Sequence, residues 1–158
     1  MRKAVYAGSF DPITNGHMDI LRRALEVFDE VVLLLAVNPA KKGTFDVEER
    51  LRMMKKACEG LKGVSIDYTD GLTVHYCKKV GAKHLIRGLR AVTDFEYEFQ
   101  LSAANQYIDA EIDVVFLMSR SSTAFISSSM INQLRKSGAD IAALVPEAVI
   151  EEYNRKGL

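Results

Sequence analysis

The segment of this sequence that is best suited to chemistry runs from Gly8 to His17. It joins a short apolar run to a stretch with helical spacing. Turns of small residues between a strand and a helix commonly bind phosphate, because the first N–H groups and the positive dipole end of the helix attract anions. His17 adds a hydrogen-bond donor and can carry a proton near neutral pH. A single histidine at a helix start is more often structural, but this context indicates chemistry on a nucleotide phosphate.

Two further segments carry groups that bind anions. Arg87 and Arg90 bracket Gly88-Leu89 after an apolar run, and planar guanidinium groups match phosphate oxygens. The serines of Ile126-Ser127-Ser128-Ser129 stand at a predicted helix start, where they either cap the helix or bind phosphate. Because ligands of open parallel sheets bind at the carboxyl ends of the strands, we expect these segments to meet at one edge. The alternatives are an ordinary surface turn and simple capping.

Lysines follow the second apolar run, at Lys41 and Lys42. They are either part of a solvated loop or a charged arm that reaches phosphate at the same sheet edge. Motifs of other chemistries do not occur: there is no Gly-x-x-x-x-Gly-Lys-Ser/Thr loop, no Gly-x-Gly-x-x-Gly and no nucleophile elbow. His75 and Cys77 have no matching pair that would make a zinc site, so we predict no metal held by the protein.

The composition is that of one globular domain, residues 1–158, with 48% hydrophobic residues. Lys+Arg and Asp+Glu are both 21, which argues against a general nucleic-acid-binding protein. The two cysteines, Cys58 and Cys77, make no disulfide framework and favour a reduced, cytoplasmic setting. No apolar run approaches the ~18 residues of a membrane span, and no signal peptide is evident.

Alternating apolar runs and helical patterns predict a doubly wound parallel sheet of five strands with a C-terminal helical segment, an α/β fold. The predicted strands cover residues 3–7, 31–37, 64–68, 84–87 and 114–118. The predicted helices cover residues 17–28, 47–58, 94–108, 127–136 and 147–155. Asp46 and Glu49 form a predicted capping box at the second of these helices.

The predicted helix 94–108 is apolar on two faces. Phe95 and Phe99 lie on one face, and Tyr97, Leu101 and Ile108 lie on another. A helix of this kind is buried on two sides, either in the centre of its own domain or against another copy of the chain. We favour self-association, because a small sheet covers only one face.

The motifs resemble those of a known family. Thr14-Asn15-Gly16-His17 resembles the Thr/His-x-Gly-His signature of the nucleotidyltransferase superfamily, and the serine segment resembles its second signature. The segments 8–17, 86–92 and 94–98 together are similar to bacterial phosphopantetheine adenylyltransferases, and the similarity covers essentially the full chain. The resemblance implies a Rossmann-like sheet, a homohexamer, Mg²⁺ as cofactor and inhibition by coenzyme A. It also implies that ATP and 4′-phosphopantetheine give dephospho-coenzyme A and pyrophosphate.

The resemblance also implies roles for individual residues. The implied catalytic residues are His17, Lys41 and Arg90. The implied ATP-binding residues are Ser9, Phe10, His17, Gly88, Leu89, Arg90, Glu98, Thr123, Ala124, Phe125, Ile126, Ser127, Ser128 and Ser129. The implied phosphopantetheine-binding residues are Ser9, Lys41, Thr73 and Arg87, with Thr73 acting through its backbone. Since the substrate phosphate is itself the nucleophile, His17 is expected to stabilise charge rather than to act as a base.

Two alternatives stay open. A sister enzyme would transfer a nucleotide to another phosphate, such as nicotinamide mononucleotide or glycerol phosphate, and the 87–92 and 94–98 segments argue against it. A non-catalytic sensor would bind ATP without turnover, and the presence of His17 together with both basic loops disfavours it.

Overall fold

The computed structural model describes all 158 residues, apart from the side chains of Val92 and Thr93. The five strands are β1 (Lys3–Gly8), β2 (Glu30–Ala36), β3 (Val64–Thr69), β4 (His84–Leu89) and β5 (Asp113–Met118). The helices are α1 (Asn15–Val27), α2 (Val47–Ala57), α3 (Thr73–Val80), α4 (Val92–Ile108), α5 (Ser128–Lys136) and α6 (Glu147–Lys156).

All neighbouring strands pair in parallel, in the order β3-β2-β1-β4-β5. The chain runs outward from β1 to β3, then crosses back to β4, on the other side of β1. Strand order therefore reverses between β1 and β4, which is the place where open α/β sheets bind ligands. The predicted doubly wound α/β fold with a C-terminal helical segment is confirmed.

The two faces of the sheet have separate cores. Alternate residues of β1 point to opposite faces, so Tyr6 packs in one core and Val5 in the other. The core that contains Tyr6 also takes buried residues of α1, α2, α5 and α6. The core that contains Val5 takes Val74, Tyr76 and Cys77 of α3. The central strands are buried on both faces, and this accounts for their continuous apolar sequences.

The predicted elements differ from the observed ones mainly at their ends. β4 runs two residues past its predicted end at Arg87, so Gly88 and Leu89 also lie within the strand. The sequence analysis missed α3, a helix of eight residues whose apolar positions are too few to mark it. β3 is an edge strand whose side chains alternate between half-buried and exposed over most of its length, unlike the continuous burial of β2.

Capping boxes begin the two helices that follow β1 and β2. The predicted box at α2 is confirmed, since Asp46 accepts the Glu49 N–H at 2.8 Å and Glu49 accepts the Asp46 N–H at 3.4 Å. At α1, Thr14 is the N-cap residue and His17 takes the position of the usual Glu or Gln. His17, the residue of this sequence that is best suited to chemistry, is thus also part of the start of α1.

Candidate active site

The carboxyl ends of β1 and β4 and the segment after β5 enclose a cavity of about 320 Å³. The three segments that the sequence predicts to bind anions meet here, as the parallel sheet predicts. The predicted site residues among its lining are Ser9, Phe10, His17, Arg87, Gly88, Arg90, Glu98, Thr123, Ile126, Ser127, Ser128 and Ser129.

The capping box of α1 fixes the orientation of the His17 ring. Nδ1 accepts the backbone N–H of Thr14 at 3.0 Å, and the Phe10 ring lies edge-on at 4.9 Å between ring centroids. Because Nδ1 is an acceptor, the proton of the neutral imidazole is assigned to Nε2. His17 therefore keeps one N–H donor that is not used in the capping box.

The environment of His17 keeps the ring neutral. Burial, and then the positive charges of Arg90 and Arg87, lower the pKa of His17 from 6.5 to about 4. The sequence allows a protonated ring near neutral pH, whereas the lowered pKa favours the neutral form. His17 acts as a neutral hydrogen-bond donor.

Arg87 and Glu98 form a tight pair. Nη2 and Nε of Arg87 lie 2.6 Å and 3.1 Å from Oε1 of Glu98, and Nη1 donates to the Ala7 carbonyl at 2.8 Å. Burial lowers the pKa of Arg87, but the hydrogen bonds to Glu98 outweigh that effect and hold the pKa above its usual value. The family resemblance implies different substrates for these two residues, whereas here they contact each other.

Arg90 is held more loosely. Its Nε lies 3.2 Å from Oδ2 of Asp94, and its side chain is 41% exposed. Nη1 is 3.5 Å from the carbonyl of Ile126, directly before the α5 N-cap. Arg90 thus carries a charge that can turn toward a ligand, next to the start of α5.

Two of the three serines before and within α5 already have structural roles. Ser127 is the N-cap residue and accepts the Met130 N–H, while the Ser128 hydroxyl donates to the Pro12 carbonyl at 2.8 Å. Among the described residues, the backbone N–H groups of Ser128 and Ser129 have no protein acceptor. The capping and the anion-binding interpretations are therefore compatible, because hydroxyls cap while N–H groups stay open.

The starts of α1 and α5 converge on this cavity. Gly16, in the first turn of α1, lies beside the segment before α5, since an added Cβ would be in van der Waals contact with the Thr123 carbonyl at 3.6 Å. Two helix N-termini, a histidine donor and Arg90 thus face one space, which is an arrangement suited to a polyphosphate.

Comparison with known proteins places this geometry in a family. The Cytidylyltransferase-like family model matches residues 5–134. The chain is 46% identical to the phosphopantetheine adenylyltransferase of Finegoldia magna over 98% of this chain and 95% of that protein. It is 47% identical to that of Dictyoglomus turgidum over 99% of this chain and 98% of that protein.

The chain belongs to the phosphopantetheine adenylyltransferase family. It is thus a nucleotidyltransferase, and the resemblance noted in its motifs is confirmed. A more distant relative, the phosphopantetheine adenylyltransferase of Caldanaerobacter subterraneus, is 40% identical over 99% of this chain.

Several residues implied by the family resemblance lie outside the first cavity. Lys41 lines a second cavity of about 570 Å³. Ser9 lines both cavities. Thr73 begins α3 and lines neither of these cavities, and the same holds for Leu89, Ala124 and Phe125.

The Phe10 side chain is also unlike an open ligand-binding group. It is 1% exposed, packs edge-on against Tyr6 at 5.6 Å between centroids, and supports the His17 ring. Its φ of 40° lies in the left-handed region, which is rare for a residue with a side chain. Any contact of Phe10 with a nucleotide is therefore expected through its backbone.

The structure adds residues that the sequence analysis did not select. Tyr6, Thr14, Ile20, Asp94 and Ser119 line the first cavity. Two of them had a local signal: Thr14 stands three residues before His17 as in a capping box, and Asp94 stands four residues after Arg90 as in a helical ion pair. Tyr6 is buried, and burial raises the pKa of its hydroxyl well above the usual value, so it stays protonated.

The described residues contain no group of three or more His, Cys, Asp or Glu side chains that could hold a metal ion. The carboxylates of the first cavity, Asp94 and Glu98, are each paired with an arginine. Mg²⁺ commonly keeps several waters and binds substrate phosphates with few protein ligands, so this site fits an ion that arrives with a nucleotide. Within the part of the chain that the structure describes, none of the helices is both long and apolar enough to cross a membrane.

Proposed function

We propose that this protein transfers the adenylyl group of ATP to 4′-phosphopantetheine, which gives dephospho-coenzyme A and pyrophosphate. The observation that carries the proposal is the convergence of His17, Arg90 and the starts of α1 and α5 on one cavity, with Ser9 shared by a second cavity that holds Lys41. The names of the relatives supply the acceptor.

The reaction needs no covalent enzyme intermediate. The phosphate of the acceptor attacks the α-phosphorus of ATP in line, a P–O bond forms, and the bond to the leaving pyrophosphate breaks. Because the nucleophile is already an anion, the enzyme needs no strong base. The protein contributes positioning and the stabilisation of charge that develops on the phosphate oxygens.

His17 stabilises this charge as a hydrogen-bond donor through Nε2. Because the lowered pKa keeps the ring neutral, the Nε2 proton stays in place as a donor toward the phosphate oxygens. Arg90 adds a partly exposed positive charge at the same cavity, and the open N–H groups of Ser128 and Ser129 add fixed donors.

On the acceptor side, Lys41 and Ser9 bind the attacking phosphate. Arg87 joins them through guanidinium hydrogens that Glu98 and Ala7 leave unused. Thr73 contacts the pantetheine part through its backbone. Mg²⁺, when bound with ATP, offsets negative charge on the leaving pyrophosphate. We further propose a cytoplasmic homohexamer that coenzyme A inhibits, a setting that the two free, buried cysteines suit.

Pyrophosphate release with a panel of substrates tests the proposal. ATP with phosphopantetheine should release pyrophosphate, whereas nicotinamide mononucleotide or glycerol phosphate as acceptor, or CTP as donor, should support little release. Preference for another acceptor would identify a sister enzyme. ATP binding without release with any acceptor would indicate a sensor. Either result would contradict the proposed reaction.

A further inference from the structure

A buried ion pair joins two loops of the active site beside the second cavity. Arg50, on α2, has its Nε 3.5 Å from Oδ1 of Asp11, and the two side chains are only 10% and 17% exposed. The same guanidinium donates to the Phe45 carbonyl at 2.8 Å and to the Ser9 carbonyl at 3.3 Å. Arg50 thus links the loop after β1 to the loop after β2.

Asp11 makes the same link from the other side. Its Oδ2 accepts the Thr44 N–H at 2.8 Å, and its Oδ1 accepts the Phe45 N–H at 2.9 Å. Gly43 completes the contact, because a Cβ at this position would collide with Nη2 of Arg50 and with Oδ2 of Asp11. Residues 43–45 are therefore fixed to the Ser9–Asp11 segment at several points.

The position of this pair suggests more than a contribution to stability. The desolvation of two buried charges largely offsets their attraction, so such a pair is a poor source of net stability. Lys41 stands two residues before Gly43, and it lines the second cavity together with Ser9, Asp11 and Arg50. Neither Arg50 nor Asp11 lines the first cavity. The pair therefore fixes the spacing of the two predicted acceptor-binding residues without contacting the nucleotide cavity.

We propose that Arg50 and Asp11 form a positioning clamp for the acceptor phosphate. The clamp holds the backbone at Lys41 and at Ser9 so that the amine and the hydroxyl converge on one phosphate monoester. This inference rests on the proposed function, because it assigns the second cavity to the acceptor. It adds two positioning residues that act through Lys41 and Ser9.

Two substitutions test the clamp in the full-length protein. Arg50→Lys keeps the charge, but a single amine cannot reach Asp11 and both carbonyls together. Gly43→Ala keeps both charges and displaces them by crowding. We expect each variant to lower kcat/KM for phosphopantetheine by about 10²-fold, mainly through a higher KM, because small displacements of binding groups have effects of that size. The KM for ATP should change much less than the KM for phosphopantetheine, because Lys41 lines only the second cavity while Ser9 lines both.

Arg52→Lys is the matched control. Arg52 lies on the same helix and pairs with Glu152 of α6, with its Nε 3.1 Å from Oε2. This substitution also weakens a side-chain ion pair of α2, but it leaves Ser9 and Asp11 untouched. We expect it to lower the thermal midpoint while both KM values stay unchanged.

A Lys41→Ala background shows whether the clamp acts through the lysine. If it does, adding Arg50→Lys to Lys41→Ala should lower kcat/KM by clearly less than the roughly 10²-fold expected in the wild-type background, the remaining loss being the part that acts through Ser9. Equal changes in the KM values of both substrates, or a full additive loss in the Lys41→Ala background, would overturn the clamp. A wild-type enzyme that does not use phosphopantetheine would instead contradict the proposed function, so the two failures are distinct.

Discussion

At the scale of single residues, His17 combines a structural and a chemical role. Its Nδ1 completes the capping box of α1, and this leaves Nε2–H as the free donor. The motif in the sequence predicts a phosphate-binding histidine. It does not predict the protonation state, because the pKa depends on burial and on two arginines that stand about 70 residues away in the chain.

The lowered pKa of His17 predicts a pH dependence of stability. The folded-state pKa is about 4 and the ordinary value is 6.5. Between these values the unfolded chain binds more protons, so His17 makes the folded state less stable as pH falls from 6.5 to 4. We expect a loss of roughly 2–3 kcal/mol by pH 4 relative to His17→Gln, which does not titrate and suits the capping box.

Chemical denaturation of the two proteins at a series of pH values measures this difference. Contributions from the other titrating groups are shared by both proteins and cancel in the comparison. Free energies of unfolding that stay parallel from pH 6.5 to pH 4 would show that the His17 ring is not held neutral by its surroundings.

At the scale of elements, long apolar runs and capping residues were the features of the sequence that predicted helices and strands correctly. The continuous apolar runs in β1 and β2 identified buried parallel strands, and Asp46 with Glu49 identified the start of α2. The eight residues of α3 carry no long pattern, so this helix was missed. Local patterns therefore located most elements but not the shortest helix.

Contacts between distant elements account for what the sequence could not predict at the site. Arg87 and Glu98 are eleven residues apart on β4 and α4, and they meet because α4 packs back along β4. Arg50 meets Asp11 and Gly43 only because α2 returns its first turns to the end of β1. Side-chain pairs of this kind depend on the packing of the elements rather than on spacing in the chain.

At the scale of the whole molecule, α4 presents an apolar surface that its own chain does not cover. Phe99 is 61% exposed and Tyr107 is 93% exposed, and Phe95 and Tyr97 are exposed beside them. Aromatic side chains in such numbers on one helix are typical of an interface. The sequence predicted that both faces of this helix are buried. Within the single chain, however, the aromatic side chains on both faces are exposed.

Self-association through α4 is therefore expected. Phe99→Ser combined with Tyr107→Ser should weaken the assembly, because the few residues that dominate an interface are often aromatic and contribute about 2 kcal/mol or more each. Sedimentation velocity at working concentration should show an oligomer for the wild type and smaller species for the double variant. A monomeric wild type, or an assembly unchanged by both substitutions, would show that α4 does not form an interface between copies of the chain.

The proposed role of His17 is to stabilise charge during adenylyl transfer to phosphopantetheine. The most direct test is the initial rate of pyrophosphate release from ATP and phosphopantetheine, measured side by side for the wild type and His17→Ala. We predict that the wild type turns over only with both substrates, and that folded His17→Ala is slower by at least about 10²-fold, the usual cost of losing one such donor. Near-normal release by the folded variant would contradict the role of His17.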